Sequence, residues 1–291
     1  MPTIKDVQKV ELDILKAVVQ VCDKHNIDYY LAFGTMLGAV RHKGFIPWDD
    51  DIDIYVMQKD MRRLKKACLK ELPKKYFWQD QQTDRSVPQL YKKVRNINTE
   101  MYGSRTDPEV EKRKENQQGI WIDIMPLFRA AKSKKLYNLQ IKLMIQYQFA
   151  VIEQRKLHLI KGKNLISTFY MKLRELFFYR PVASIIFAVM LLLQSKKSHQ
   201  WLHFGLHSII YRTEFETVEK IATDNLLSDD IVSKKAYYDF EGERFSGFAD
   251  YNSYLVQSYG PDYMTPIKRS HVENYDNVII KDTELDLKSE Q

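Results

Sequence analysis

Positions 49–53 read Asp49-Asp50-Asp51-Ile52-Asp53, four aspartates in five residues, inside a stretch that is otherwise apolar. Tyr29-Tyr30-Leu31-Ala32-Phe33 leads towards them and Ile52-Asp53-Ile54-Tyr55-Val56 leads away, and both runs read as strands. An ionised carboxylate is costly to bury unless it is paired or holds a metal. Side chains two apart on a strand share a face, so Asp51 and Asp53 point together while Ile52 and Ile54 point to the other side. Two hard oxygen donors side by side at a strand end suit Mg²⁺ or Mn²⁺, a device that holds the phosphates of a nucleotide. Asp49 shares this alternation, whereas Asp50 faces away and is expected to bond a turn. Just upstream, Gly34 lets the backbone approach a ligand closely. Thr35 is placed to cap a short helix through Val40, whose first N–H groups and dipole favour an anion.

The elements that must carry these residues follow from apolar periodicity. Val7, Val10, Ile14, Val18 and Cys22 recur at helical spacing and predict an amphipathic helix over 4–25. Asp60, Leu64, Ala67, Cys68 and Leu72 predict a second helix over 59–72, closed by Pro73. Segments 89–97 and 119–124 read as strands, and the charged stretch 104–118 as a loop. From 134 to 215 the pattern is helical and unusually apolar, centred on Ser184–Leu193, and Gly242, Gly247, Gly260, Pro261 and Pro266 then mark turns. The expected fold class is α+β: a small mixed β-sheet flanked by helices, with a helical insertion. The expected division is a core over 1–130, an apolar helical insertion over 131–215, and a segment 216–291 that completes the core.

Composition narrows the partners. The 291 residues carry 45 Lys and Arg against 38 Asp and Glu, a net charge of +7 that points to anionic partners. A non-catalytic basic protein bound to nucleic acid or membrane is the competing class. Converging aspartates argue against it, because they repel phosphate unless a metal intervenes, and no nucleic-acid partner is expected. Cys22 and Cys68 lack metal-ligand spacing and read as reduced core thiols, and with a polar N-terminus they predict a cytoplasmic protein. No run reaches the ~18–20 apolar residues of a spanning helix. The stretch 165–193, with Trp201 and the basic flanks Arg174, Arg180, Lys196 and Lys197, is expected to dock at a membrane surface. His199, His203 and His207 recur every four residues with no acidic or Cys partner in sequence, which predicts a solvated helical face.

Gly34-Thr35-Met36-Leu37-Gly38-Ala39-Val40-Arg41-His42 and Gly44-Phe45-Ile46-Pro47-Trp48-Asp49-Asp50-Asp51-Ile52-Asp53 resemble the signature of the LicD family almost position for position. That family includes phosphocholine transferases of cell-surface glycans and is related to the fukutin-type polyol-phosphate transferases. Weaker matches are Tyr91–Asn96, Gly119–Ile124, and Tyr259–Met264 with Pro266. The resemblance implies a nucleotidyltransferase-like core, with Asp123 on a later strand as third carboxylate, metal ligand and possible base.

The same resemblance implies a reaction. Phosphocholine would pass from CDP-choline to a sugar hydroxyl of a teichoic-acid or lipopolysaccharide precursor, lipid-linked and met at the inner face of the cell membrane. CDP-ribitol, CDP-glycerol and plain nucleotidyl transfer are the alternatives the motifs leave open. Asp51, Asp53 and Asp123 are the expected ligands of Mg²⁺ or Mn²⁺. Gly34, Thr35, Arg41, His42, Lys43, Asp49, Lys92 and Arg95 are the expected substrate contacts, the cations serving to hold phosphate. A choline pocket calls for aromatic walls, and the chain carries 18 Tyr, 14 Phe and 4 Trp.

Overall fold

The computed structural model describes residues 2–84, 91–101, 118–159, 165–166, 168–169, 180–202, 220, 224–266 and 278–280. Arg174, His203, His207 and residues 104–117 of the loop expected at 104–118 lie outside them. In chain order the elements are α1 (Ile4–Lys24), β1 (Tyr29–Leu31), α2 (Phe33–His42), β2 (Asp53–Met57), a 3-10 turn (Gln58–Asp60), α3 (Met61–Glu71), β3 (Tyr76–Gln79), β4 (Lys92–Asn96), β5 (Thr99–Met101) and β6 (Trp121–Arg129). They continue with α4 (Lys134–Leu159), α5 (Arg180–Leu192), β7 (Gln200–Leu202), β8 (Leu226–Ser228), α6 (Asp229–Val232), β9 (Lys235–Phe240), β10 (Glu243–Phe248), α7 (Tyr251–Tyr259) and β11 (Val278–Ile280). The result is a mixed helix-and-strand fold. It divides into two compact units, one of residues 1–79, 92–125 and 233–291, the other of 80–91 and 126–232.

In the first unit the strands lie in the order β1-β2-β6-β4-β3. β2 is apolar except at its mouth: Ile52, Ile54, Tyr55 and Val56 are fully buried, and Asp53 stands at the open end. β1 runs antiparallel to it, with Leu31 opposite Ile54. On the other side the Asp123 N–H donates to the Ile52 carbonyl at 2.8 Å. This bond brings the later strand alongside the aspartate run. α1 lays Val7, Val10, Ile14, Leu15, Val18 and Cys22 into the core. At its start Thr3 and Asp6 form a capping box, the Asp6 carboxylate accepting the Thr3 N–H at 2.6 Å. The β9–β10 hairpin covers β1, where Tyr30 stacks on Phe248 at 4.7 Å and the Tyr29 hydroxyl accepts the Ser246 N–H at 3.1 Å.

Three expectations shift. The strand over 29–33 ends at Leu31, because Ala32 is already the extended cap of α2 and Phe33 its first residue. Thr35 therefore sits inside the first turn and is not the cap. The helix expected to carry His199 is absent there: His199 precedes strand β7 and its ring approaches the Asp229 carboxylate at 3.1 Å, so it has the acidic partner that the sequence hid.

In the second unit Trp201 is no membrane anchor. It is buried on β7, donates from its indole N–H to Asp229 at 2.6 Å, and lies 4.1 Å beneath the Arg129 guanidinium. α5 packs Phe187 against Tyr147 at 5.2 Å and Phe128 at 6.4 Å. Among the described residues no helix is long and apolar enough to cross a membrane.

α2 ends tightly: Lys43 takes a left-handed conformation (φ 56°) and the Gly44 N–H returns to the Gly38 carbonyl at 3.4 Å. A Cβ on Gly38 would sit 2.4 Å from the Gly44 carbonyl oxygen, a backbone atom that cannot swing aside. Gly38→Ala should therefore cost about 1–3 kcal/mol of stability. Thermal denaturation against wild type checks this, and a midpoint lowered by several degrees is expected.

Candidate active site

The aspartate run opens onto a cavity of about 580 Å³ in the first unit. Asp49, Asp51 and Asp53 form one wall with Ile46 and Trp48. Helix α2 supplies Phe33, Gly34, Leu37 and Arg41. Tyr259 at the end of α7 and Asp262, Tyr263 and Thr265 just after it close the cavity. The expected alternation holds: Asp49, Asp51 and Asp53 face the cavity, and the buried Asp50 is not part of its wall.

Neutral contacts hold this wall in place. The Thr35 hydroxyl accepts the Asp53 N–H at 2.9 Å, and Thr35 is itself buried. Gln8 of α1 donates to the Asp49 carbonyl at 2.7 Å. Gly34 is where backbone and carboxylate come closest, since a Cβ there would lie 2.4 Å from Asp49 Oδ2. Phe33 adopts φ 43°, a region strained for a bulky side chain, and its N–H donates to the buried Tyr254 hydroxyl at 2.8 Å.

The electrostatics are those of crowded like charge. Burial, then Asp51, Asp123 and Asp49, push the Asp53 carboxyl well above its ordinary range, with Lys93 pulling the other way. Glu11 of α1 is 2% exposed, and its Oε2 has no hydrogen-bond partner among the described residues. Its carboxyl is also held well above the usual range, by burial first and then by Asp51, Asp50, Asp49 and Asp123. The counter-charge is Lys93, whose Nζ lies 2.8 Å from Asp123 Oδ1 and 4.1 Å from the Trp121 ring centroid. Burial lowers the Lys93 ammonium to about 8, against the pull of Asp123.

The expected basic residues separate. Arg41 lies in the cavity wall, with Nη1 donating to the Tyr263 carbonyl at 2.7 Å. His42 is half-buried, its imidazole pushed down by burial and by Arg41, which disfavours a cation there. Lys43 is exposed at the end of α2 and Lys92 half-buried at the start of β4; neither is in the wall. Arg95 is spent on structure: it donates to Gln79 at 2.5 Å and to the Gly119 carbonyl at 2.6 Å, above Trp121 at 4.5 Å. Lys93, Glu11, Gln8 and Tyr254 are the residues that sequence reasoning missed.

Among the described residues no three His, Cys, Asp or Glu side chains converge closely enough to enclose a metal ion. Two carboxylates and a cavity deep enough for phosphate still fit Mg²⁺ or Mn²⁺. Such ions commonly take one or two protein carboxylates and complete their shell with phosphate oxygens and water. A cation at Asp51 and Asp53 would relieve the repulsion that, together with burial, raises the Asp53 carboxyl.

Residues 26–139 match the family model described as the LicD/FKTN/FKRP nucleotidyltransferase domain. Over 74 residues, 25% of this chain, the sequence is 42% identical to the lipopolysaccharide cholinephosphotransferase LicD of Haemophilus influenzae. Over 47 residues, 16% of the chain, it is 49% identical to uncharacterized proteins of Rickettsia prowazekii and Rickettsia typhi. The chain spans 28%, 18% and 15% of the lengths of these three relatives.

The Thr35 contact generates a test. Thr35→Val keeps the shape but leaves the Asp53 N–H without its acceptor, at a cost of about 1–3 kcal/mol. Thr35→Ser retains the oxygen. The melting temperature should fall for the valine variant, while the serine variant stays close to wild type.

Proposed function

With residues 26–139 a LicD-family domain, we propose that the protein is a metal-dependent transferase. It moves phosphocholine from CDP-choline to a sugar hydroxyl of a teichoic-acid or other cell-surface glycan precursor. The observation that carries this reading is the cavity wall, which joins Asp49, Asp51 and Asp53 to Arg41 and to the aromatic residues Phe33, Trp48, Tyr259 and Tyr263. Mg²⁺ or Mn²⁺ on Asp51 and Asp53 would neutralise the donor diphosphate and polarise the phosphorus under attack. Arg41 faces the same cavity and would steady the departing CMP phosphate. The acceptor oxygen forms the new bond to phosphorus, the bond from phosphorus to the CMP oxygen breaks, and the hydroxyl proton passes to Asp49. That carboxylate lines the same wall as Asp51 and Asp53.

The aromatic lining favours CDP-choline over CDP-ribitol or CDP-glycerol. Aromatic faces attract a quaternary ammonium, and the carboxylates of Asp49 and Asp262 beside them add attraction that a neutral polyol does not feel. Tyr263 is fixed for this role, since its hydroxyl donates to Asn252 at 2.9 Å.

The acceptor would be met at the membrane through α5. Val182, Ile185, Val189 and Leu192 form an exposed stripe, with Ile185 61% and Leu192 83% exposed and Lys196 and Lys197 following in solvent. The opposite side of the helix, with Ala183, Phe187 and Met190, packs inward. The lipid-facing set is therefore this stripe, and Phe187 belongs to the interior.

Two experiments test the reading. CDP-choline, CDP-ribitol, CDP-glycerol and CTP are offered with Mg²⁺ or Mn²⁺ and CMP or pyrophosphate release is followed. CMP from CDP-choline is expected, with Asp51→Asn and Asp53→Asn each below about a tenth of wild type and melting no lower, since each removes like charge from a crowded site. Pyrophosphate release from CTP alone would overturn the assignment. Replacing Val182, Ile185, Val189 and Leu192 together by Ser should free the chain from anionic vesicles without unfolding it. Replacing Phe187 alone by Ser should instead lower the melting temperature.

A further inference from the structure

The ion pair between Lys93 and Asp123 has no counterpart in a site of three metal-binding carboxylates. In register, Lys93 stands directly opposite Asp123 on neighbouring antiparallel strands. Asp123 is in turn bonded through its N–H to Ile52, between the two cavity aspartates. The ammonium lies 2.8 Å from the carboxylate, with side chains 6% and 15% exposed. It is confined on its other side by the Trp121 ring, over which Arg95 is also fixed at 4.5 Å. Lys93 cannot swing away to release Asp123 without breaking a buried ion pair, which is strongly unfavourable. A divalent ion on Asp123 would also sit within roughly a few ångströms of a fixed positive charge, where repulsion is large in a poorly solvated site.

We propose that Lys93 is a built-in counter-ion in place of a second metal. The site takes one divalent cation, on Asp51 and Asp53, while Asp123 serves to hold Lys93. This rests on the metal-dependent reading above and assigns Lys93 as a positioning residue, not a catalytic one. A site with one cation must neutralise the rest of its carboxylates from within the protein, and among the described residues Lys93 is the ammonium paired to that cluster.

The test is Mn²⁺ binding to the full chain, with free Mn²⁺ counted by electron paramagnetic resonance and no substrate present. Wild type should bind one Mn²⁺ per chain, and Asp51→Asn with Asp53→Asn should bind none. Lys93→Met frees Asp123 and should raise the count to two, whereas Lys93→Arg should keep it at one. Should Lys93→Met fail to fold, the paired variant Lys93→Met with Asp123→Asn removes both buried charges together. It should bind one Mn²⁺ with a dissociation constant within about threefold of wild type. Two Mn²⁺ in wild type, an unchanged count in folded Lys93→Met, or a loss beyond about tenfold in the paired variant, as a displaced ligand produces, would overturn the inference and leave the transferase reading standing. Wild type that binds no Mn²⁺ would overturn both.

Discussion

Carboxylates that share one apolar enclosure repel each other, and the first unit is organised around that repulsion. Glu11, Asp49, Asp50, Asp51, Asp53 and Asp123 act on one another electrostatically, and Lys93 is the cation that answers them. Side-chain attraction cannot assemble such a group. What holds it is the neutral framework: Gln8 on the Asp49 carbonyl, the Thr35 hydroxyl on the Asp53 N–H, and the Ile52 carbonyl on the Asp123 N–H. The charges are tethered through the backbone. The strained Phe33 fits the same logic, because its unfavourable φ persists only while Tyr254 and the surrounding core overdetermine it.

The site is wider than the stretch that identifies it. The family match covers residues 26–139 and so includes α2, the aspartate run, Lys93 and Asp123. It does not reach Gln8 and Glu11 on α1, or Tyr254, Tyr259 and Tyr263 near α7. The matched segment carries the cavity aspartates, Arg41, Phe33 and Trp48, while the flanking segments supply support and the tyrosines of the wall.

Much of this was legible in the sequence, for identifiable reasons. Alternation over 49–54 sorted cavity aspartates from buried isoleucines, because a strand has a strict period of two. The same rule, applied to β4, would have found Lys93: Lys92 and Arg95 are three apart and cannot share a face, whereas Lys93 and Arg95 do. Glu11 was hidden for a different reason. It sits at a core position of the α1 stripe, four after Val7, where an acidic residue reads as an interruption until the neighbouring carboxylates are seen. Thr35 was read as a cap because threonine commonly is one, but α2 starts two residues earlier and the hydroxyl serves a strand instead. The stretch around Trp201 looked helical by apolar content alone, and only long-range pairing with β8 makes it a strand.

Arg41 and the Tyr263 carbonyl that it grips lie 222 residues apart along the chain. At a synthesis rate of about 5–20 residues per second, roughly 10–45 s separate their appearance from the ribosome. For most of that interval the aspartate loop exists without Tyr259 and Tyr263, Phe33 lacks the hydroxyl that relieves its N–H, and β1 has no hairpin to cover it. The nascent chain must pass through a stage in which its most repulsive segment is complete and the elements that justify it are still unmade. Assembly of the site thereby waits for the segment that carries Tyr254 and Tyr263.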